Sequence, residues 1–484
     1  MTFNSWEFLI FYPIVALLYF VLPKTAKWVM LLIASYYFYM FYQADLIFLI
    51  VTTTVISWLA SNVIERTKNI KLKRVMLAIT LVVCLGVLFF YKYFNFLAGS
   101  VVSIVNLLGG EAPPVVLNLI LPVGISFYTF QTLSYVIDVY RGDIKTEKNL
   151  FFYALFVSFF PQLVAGPIER PDNLVPQLKE THKFNGADFS RGARFMLVGF
   201  FKKIVVADLI SVYVNSIYNS AEGATGLGVI IATALFAVQI YCDFSGYTDI
   251  ATGCARIMGI RLMKNFDHPY TATSIKEFWS RWHISLSTWF KDYLYIPLGG
   301  NRCSKSRHLF NLFVVFAVSG LWHGANWTYV VWGCLHGVYQ IVGNLTWKRR
   351  NALLEKIGFS KDHIAVVAVR RVITFVLVCF SWLFFRANNM GEAVTLLKAL
   401  FTDFGGFSET FKLMGLDTVA ILTTVLSVFI LYVIDNLHKY EETEDGGAVL
   451  IGKGAFVYFI WIVLIAWAVL LSKDMASSFI YFQF

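Results

Sequence analysis

Apolar runs recur from one end of the chain to the other, at residues 8–22, 28–42, 46–59, 75–94, 117–136, 151–164, 229–240, 309–321, 329–342, 372–385, 419–433 and 456–471. A helix that crosses a bilayer needs about 20 residues. Several runs are shorter and include flanking polar residues, which predicts tilted, broken or re-entrant helices. The expected fold is an all-α polytopic membrane protein. It should have roughly 11–13 membrane helices, with re-entrant and interfacial helices around a central tunnel. One integral-membrane domain is expected over residues 1–484. Hydrophobic residues are 58% of the chain and charged residues 14%, against about a quarter charged in soluble domains. No stretch is long enough for a separate soluble catalytic domain, so the chemistry lies in the bundle or is completed by another protein. Residues 1–7 lack a basic n-region, so 8–22 is expected to be the first membrane helix and not a cleaved signal. No internal repeat is visible, which argues against an inverted-repeat transporter.

The formal charge of +10 sits mainly in short loops. It reads as topology information, not as a nucleic-acid footprint, and no nucleic-acid-binding motif occurs. Basic loops favour the cytoplasm. Lys24 with Lys27, the cluster Arg66 to Arg74, the trio Arg302, Lys305 and Arg307, and the run Lys348 to Arg350 are therefore expected inside, with the N-terminus outside. The last two clusters flank the runs 309–321 and 329–342, so the chain between them must enter the membrane and return. The six cysteines form no CxxC pair and read as small core residues.

The reversal falls on Ser319-Gly-Leu-Trp-His323-Gly-Ala-Asn-Trp327. Gly320, Gly324 and Asn326 are expected to supply the turn. A helix from His308 rises roughly 22 Å to reach His323, past mid-membrane. An ionisable residue at that depth is a functional-site hypothesis, and histidine exchanges a proton near neutral pH; the alternative is a satisfied interfacial histidine at a helix end. A second polar concentration spans 267–300 and contains His283; it reads as an amphipathic helix on or dipping into the membrane. Lys276, Glu277 and Arg281 there read as snorkelling charges. Asp243 and Asp249, six apart, either neutralise Arg256 or Arg281 or line a polar path. His336 lies 13 residues beyond His323, about 220° around a helix, and reads as a packing residue. His182, His363 and His438 fall in loops or at helix ends. Residues 166–194 read as a long loop and 441–447 as an acidic turn. No metal motif, nucleophile elbow or phosphate-binding loop occurs, and no tightly bound cofactor is expected. What remains is proton abstraction in a water-poor tunnel. A neutral imidazole can deprotonate a hydroxyl or thiol as it attacks an acyl carbonyl, and indole or histidine N–H groups can hold the oxyanion.

Five stretches resemble the membrane-bound O-acyltransferase family, most of all its alginate O-acetyltransferase branch, to which the D-alanyl transfer protein of teichoic acid is related. They begin at Phe160-Pro-Gln-Leu-Val-Ala-Gly-Pro-Ile-Glu-Arg170 and Asp243-Phe-Ser-Gly-Tyr-Thr-Asp249. They continue through Phe278-Trp-Ser-Arg-Trp-His-Ile-Ser-Leu-Ser-Thr-Trp289, Asp292-Tyr-Leu-Tyr-Ile-Pro-Leu-Gly-Gly300 and Leu321-Trp-His-Gly-Ala-Asn-Trp327. The resemblance implies that His323 is the catalytic histidine and that His283, 40 residues upstream, is its partner as orienter, proton partner or oxyanion donor. Trp282, Trp322, Asn326, Trp327 and Asp243 become candidates for the tunnel wall. It further implies a multi-pass protein of the cytoplasmic membrane, acetyl-CoA as acyl donor, a cell-envelope polysaccharide as acceptor and an exported acetyltransferase with a serine nucleophile as partner. A D-alanyl or lipid acyltransferase and a polysaccharide or lipid transporter are the competing readings.

Overall fold

The computed structural model describes residues 1–113 and 115–436. The acidic turn 441–447, the apolar run 456–471 and His438 lie outside the described residues. Among those described, the regular structure is helical throughout, with no strand. Among the described residues, four helices are each long and apolar enough to cross a bilayer: Ala44–Arg66, Ile70–Leu107, Gly226–Ile257 and Ile364–Arg386. Phe407–Met414 and Thr418–Val433, bent by 81°, make a fifth if they form one span. Other apolar runs fold into shorter or more polar helices. Trp6–Val21 has 16 residues and contains Pro13. Leu150–Ser158 has 9 and stops where Phe159 leaves helical geometry at ψ 110°.

The described residues group into two compact units. The first comprises Met1–Met196 and Tyr247–Met263; the second comprises Leu197–Gly246 and residues 264–436. The helices Gly186–Phe200 and Gly226–Ile257 each run across this division.

In the first unit, the Gly186–Phe200 helix crosses the end of Gly226–Ile257 at two glycines. A Cβ on Gly253 would lie 2.5 Å from the Gly192 carbonyl oxygen, so only glycine permits this approach. Arg256, buried beside the crossing, pairs with Asp188 at 2.8 Å, and the Tyr12 hydroxyl donates to the Cys254 carbonyl at 2.9 Å. The segment 166–194 is not the loop its polarity suggests. It holds the helix Pro171–Lys179 and the start of Gly186–Phe200. Pro171 opens the former, where its missing N–H has no helical acceptor to lose. Before it, the wholly buried Glu169 accepts the Met263 N–H and, at 2.7 Å, the Asn173 amide. Burial pushes the Glu169 carboxyl up to about 7, against those hydrogen bonds and Arg170.

In the second unit, Lys305–His323 and Trp327–Lys356 form a tight antiparallel hairpin. A Cβ on Gly320 would lie 2.3 Å from the Tyr329 carbonyl, and one on Gly333 would lie 2.4 Å from that of Phe316. Gly320 is thus a helix-packing residue, not part of the turn. The turn belongs to Gly324, where a Cβ would meet the Tyr329 ring at 2.2 Å, and to Asn326. Asn326 caps the second helix by accepting the Thr328 N–H at 3.0 Å. The region 267–300 is a chain of short pieces and not one amphipathic helix: Pro269–Thr271, Ile275–Arg281, Ile284–Phe290 and the π-helical turn Lys291–Tyr295. Cys303, just beyond it, is exposed and not in the core.

Candidate active site

His323 is the last residue of its helix. The glycine-packed hairpin fixes that helix end, and a helix end is where a side chain can leave the ridge-and-groove packing. His283 comes from a different kind of break. It stands between Ile275–Arg281 and Ile284–Phe290 with φ 44° and ψ 55°, one of two non-glycine residues with positive φ among those described. Left-handed backbone costs such a residue roughly 1–2 kcal/mol, so the surroundings must impose it. Asn265 does so. Its carbonyl accepts the Ile284 N–H at 2.9 Å, and its side-chain oxygen accepts the Ser285 N–H at 3.2 Å and the Ser285 hydroxyl at 2.9 Å. His283, Asn265 and Ser285 are all fully buried.

The two breaks converge. The His283 and His323 rings lie 6.3 Å apart, centroid to centroid. Trp322 touches both, at 6.0 Å and 5.0 Å. Phe244 meets His283 edge-on at 4.6 Å. Trp332 and Phe385 meet His323 at 5.0 Å and 5.5 Å. The result is a pair of buried imidazoles in an aromatic box, where histidine can exchange a proton with a bound hydroxyl or thiol.

The other sequence candidates divide. Trp322 belongs to the box. Trp282 neighbours His283 in the chain but packs into an aromatic cluster with Phe266, Phe278 and Trp382. Trp327 is half exposed at the start of its helix. Asn326 spends its side chain on the turn, donating to the Asn388 carbonyl at 2.8 Å as well as capping. Asp243, next to Phe244, is buried and pairs with Lys203 at 2.7 Å; Lys203 also holds Asp208 at 2.9 Å. Arg256 pairs with Asp188 at 2.8 Å and Arg281 with Glu277 at 2.6 Å. Glu277 and Arg281 form a local pair four residues apart on one helix.

His336 is the packing residue its position implied. Its Nδ1 accepts the Trp279 indole N–H at 3.1 Å, so its proton is on Nε2, which faces the Ser381 hydroxyl at 2.8 Å. Ser381 in turn donates to the Val378 carbonyl at 2.7 Å.

Trp332, Phe244, Phe385, Lys203 and the Asn265–Ser285 clamp were not singled out by sequence. Trp332 and Phe385 sit inside the apolar runs 329–342 and 372–385, where hydropathy gives an aromatic ring no distinction. Asn265 and Ser285 are 20 apart, a spacing no periodicity predicts.

The family model for membrane-bound O-acyltransferases matches residues 143–385, a stretch that contains both histidines and the box around them. Over 408 residues the chain is 40% identical to the probable alginate O-acetylase of Pseudomonas aeruginosa, covering 83% of this chain and 75% of that protein. It is 34% identical to the peptidoglycan O-acetyltransferase of Helicobacter pylori, over 81% of this chain and 77% of that one. To the teichoic acid D-alanyltransferase of Bacillus subtilis it is 30% identical, over 56% and 70%. With its long apolar helices and this match, the chain is a membrane protein and an O-acyltransferase, and it belongs to the membrane-bound O-acyltransferase family.

Proposed function

We propose that this enzyme takes an acetyl group from acetyl-CoA on the cytoplasmic side of the cell membrane and delivers it for O-acetylation of an envelope or extracellular polysaccharide, through an exported acetyltransferase with a serine nucleophile. The observation that carries the reading is the convergence of His283 and His323 from two chain breaks, at 6.3 Å. His323 removes the proton from the attacking hydroxyl as that oxygen bonds to the thioester carbonyl carbon. The same proton then goes to the departing thiolate, so the imidazole returns to its starting state. His283 orients that imidazole or shares its proton. The greater identity and coverage with the two O-acetyltransferase relatives than with the D-alanyltransferase favour acetyl over D-alanyl transfer.

The donor and acceptor must meet at His323 from opposite faces, so a passage to it from both sides belongs to the proposal. The test is the O-acetyl content of the producing strain's polysaccharide, with radiolabelled acetyl-CoA supplied to inside-out vesicles. Label should enter the polymer only when the chain is present. Transfer of D-alanine in place of acetate would overturn the choice of acyl group.

A further inference from the structure

Three indoles pack together in the second unit, and they differ in what their N–H groups do. Trp279 donates to His336 at 3.1 Å. Trp382 donates to the Tyr270 hydroxyl at 3.2 Å. Trp332 lies between them, with ring centroids 5.7 Å from each. It is fully buried, and its N–H has no acceptor among the described residues. One turn earlier on the same helix, the Thr328 hydroxyl is also fully buried and without a partner among them. Residues four apart share a helix face, so both groups are carried on one side of the Trp327–Lys356 helix.

A buried donor left without an acceptor costs roughly 1–3 kcal/mol. Packing alone does not justify that cost here, because a phenylalanine would present a similar face to Trp382 without it. An orphan of this kind calls for an occupant, and the place of this one is telling. The Trp332 ring stands 5.0 Å from His323 at 88° and is held in that pose by Trp382, stacked at 17°, and by Phe385 at 5.1 Å. A rigid donor beside the proton acceptor suits a group whose negative charge appears only during reaction.

We propose that the Trp332 N–H, supported by the Thr328 hydroxyl, holds the acyl oxygen of the donor thioester. The assignment rests on His323 being the base. When the acceptor oxygen bonds to the carbonyl carbon, the carbonyl π pair moves onto the acyl oxygen, where Trp332 and Thr328 donate to it. His323 holds the acceptor's proton meanwhile. The oxygen pair then re-forms the carbonyl, the carbon–sulfur bond breaks, and the thiolate takes the proton from His323. No oxidant, reductant or metal enters this balance.

The test uses membranes of the producing strain, which carry the acceptor and any partner. They are supplied with acetyl-CoA, and thiol release and polymer acetylation are followed. Trp332→Phe should lower kcat about 10²–10³-fold, with KM for acetyl-CoA changed less than about threefold. Replacing Trp332 with a benzothienyl analogue, which keeps the two-ring shape and removes only the N–H, should give the same loss. The benzothienyl variant should keep the parental melting midpoint in detergent while losing kcat, whereas Trp332→Phe also leaves a cavity and loses stability; a purely packing role predicts that the analogue keeps parental kcat as well. Thr328→Val should lower kcat less than Trp332→Phe does. Near-parental kcat in the benzothienyl protein overturns the proposal. His323→Ala run alongside separates the two ideas: if it is inactive while the Trp332 variants work, only the oxyanion assignment falls, and if it is active, the base assignment falls first.

Discussion

His336 and His323 are both buried in the second unit, and each ring lies 5.0 Å from the same indole, Trp332. Their surroundings differ in kind. His336 sits inside the continuous helix Trp327–Lys356, and both its ring nitrogens are used within the protein, by Trp279 and Ser381. A proton cannot be added at Nδ1 without losing the Trp279 bond. His323 ends its helix and faces His283, whose backbone is held left-handed by Asn265. Burial is common to both, so burial does not mark the chemistry. The marks are the interruption of a helix and strain maintained by neighbours, which functional sites concentrate.

The sharpest way to break this comparison is to delete each histidine in turn. His323→Ala should lower acetyl transfer roughly 10²–10⁴-fold, the usual cost of losing a general base, with the chain still present in membranes at parental abundance. Polymer O-acetyl content and immunoblotting measure the two quantities. Near-parental acetylation would remove His323 from the chemistry. His283→Asn should follow, with a loss of about 10²-fold. Asparagine tolerates the left-handed backbone, so the break should survive and abundance should hold. A variant as active as the parent would leave the His283 strain with no catalytic purpose.

His336→Ala should do the reverse. It leaves the Trp279 N–H without its acceptor in a dry core, at a cost of about 1–3 kcal/mol. A lower melting midpoint in detergent is expected, with activity per folded molecule within about threefold of the parent. A loss of turnover as complete as that of His323→Ala, at parental stability, would exchange the roles of the two pockets.

How much of this was legible before folding depends on the kind of signal. The basic clusters around 309–321 and 329–342 fixed the hairpin, because charge is counted locally in sequence. His323 was legible from its turn. His283 was legible only through family resemblance, since a 40-residue spacing has no periodic meaning. The role of Gly320 was misread, because sequence cannot distinguish a glycine that frees the backbone from one that admits a neighbouring helix. The pairing of Asp243 with Lys203 was equally hidden. Both lie in the same unit on different elements, and a salt bridge between elements leaves no trace in the order of residues. The helix Pro171–Lys179 was missed because its polar composition imitates a loop, although a proline at its first position is a helix-start signal.

The smallest expected effect extends the comparison to the first unit, where Glu169 is as buried as the histidines. Like His336, it has its hydrogen-bonding atoms committed within the protein, to Met263 and Asn173, so its role should be structural. It lies in the connecting segment ahead of Pro171–Lys179, and burial raises its carboxyl from the usual 4.5 to about 7. The sign of the pH effect follows. Between about 4.5 and 7 the unfolded chain has lost this proton while the folded chain keeps it. The folded state then binds more protons, so stability falls as pH rises through that window and levels off above it. The span corresponds to a change on the order of 3 kcal/mol. Glu169→Gln cannot ionise, so its melting midpoint in detergent should lose that slope and exceed the parent's at pH 8. Its acetylation per folded molecule should match the parent's. If instead the pH slope persists and activity collapses, a buried group with all its partners in place carries function after all, and the criterion that separates His336 from His323 fails with it.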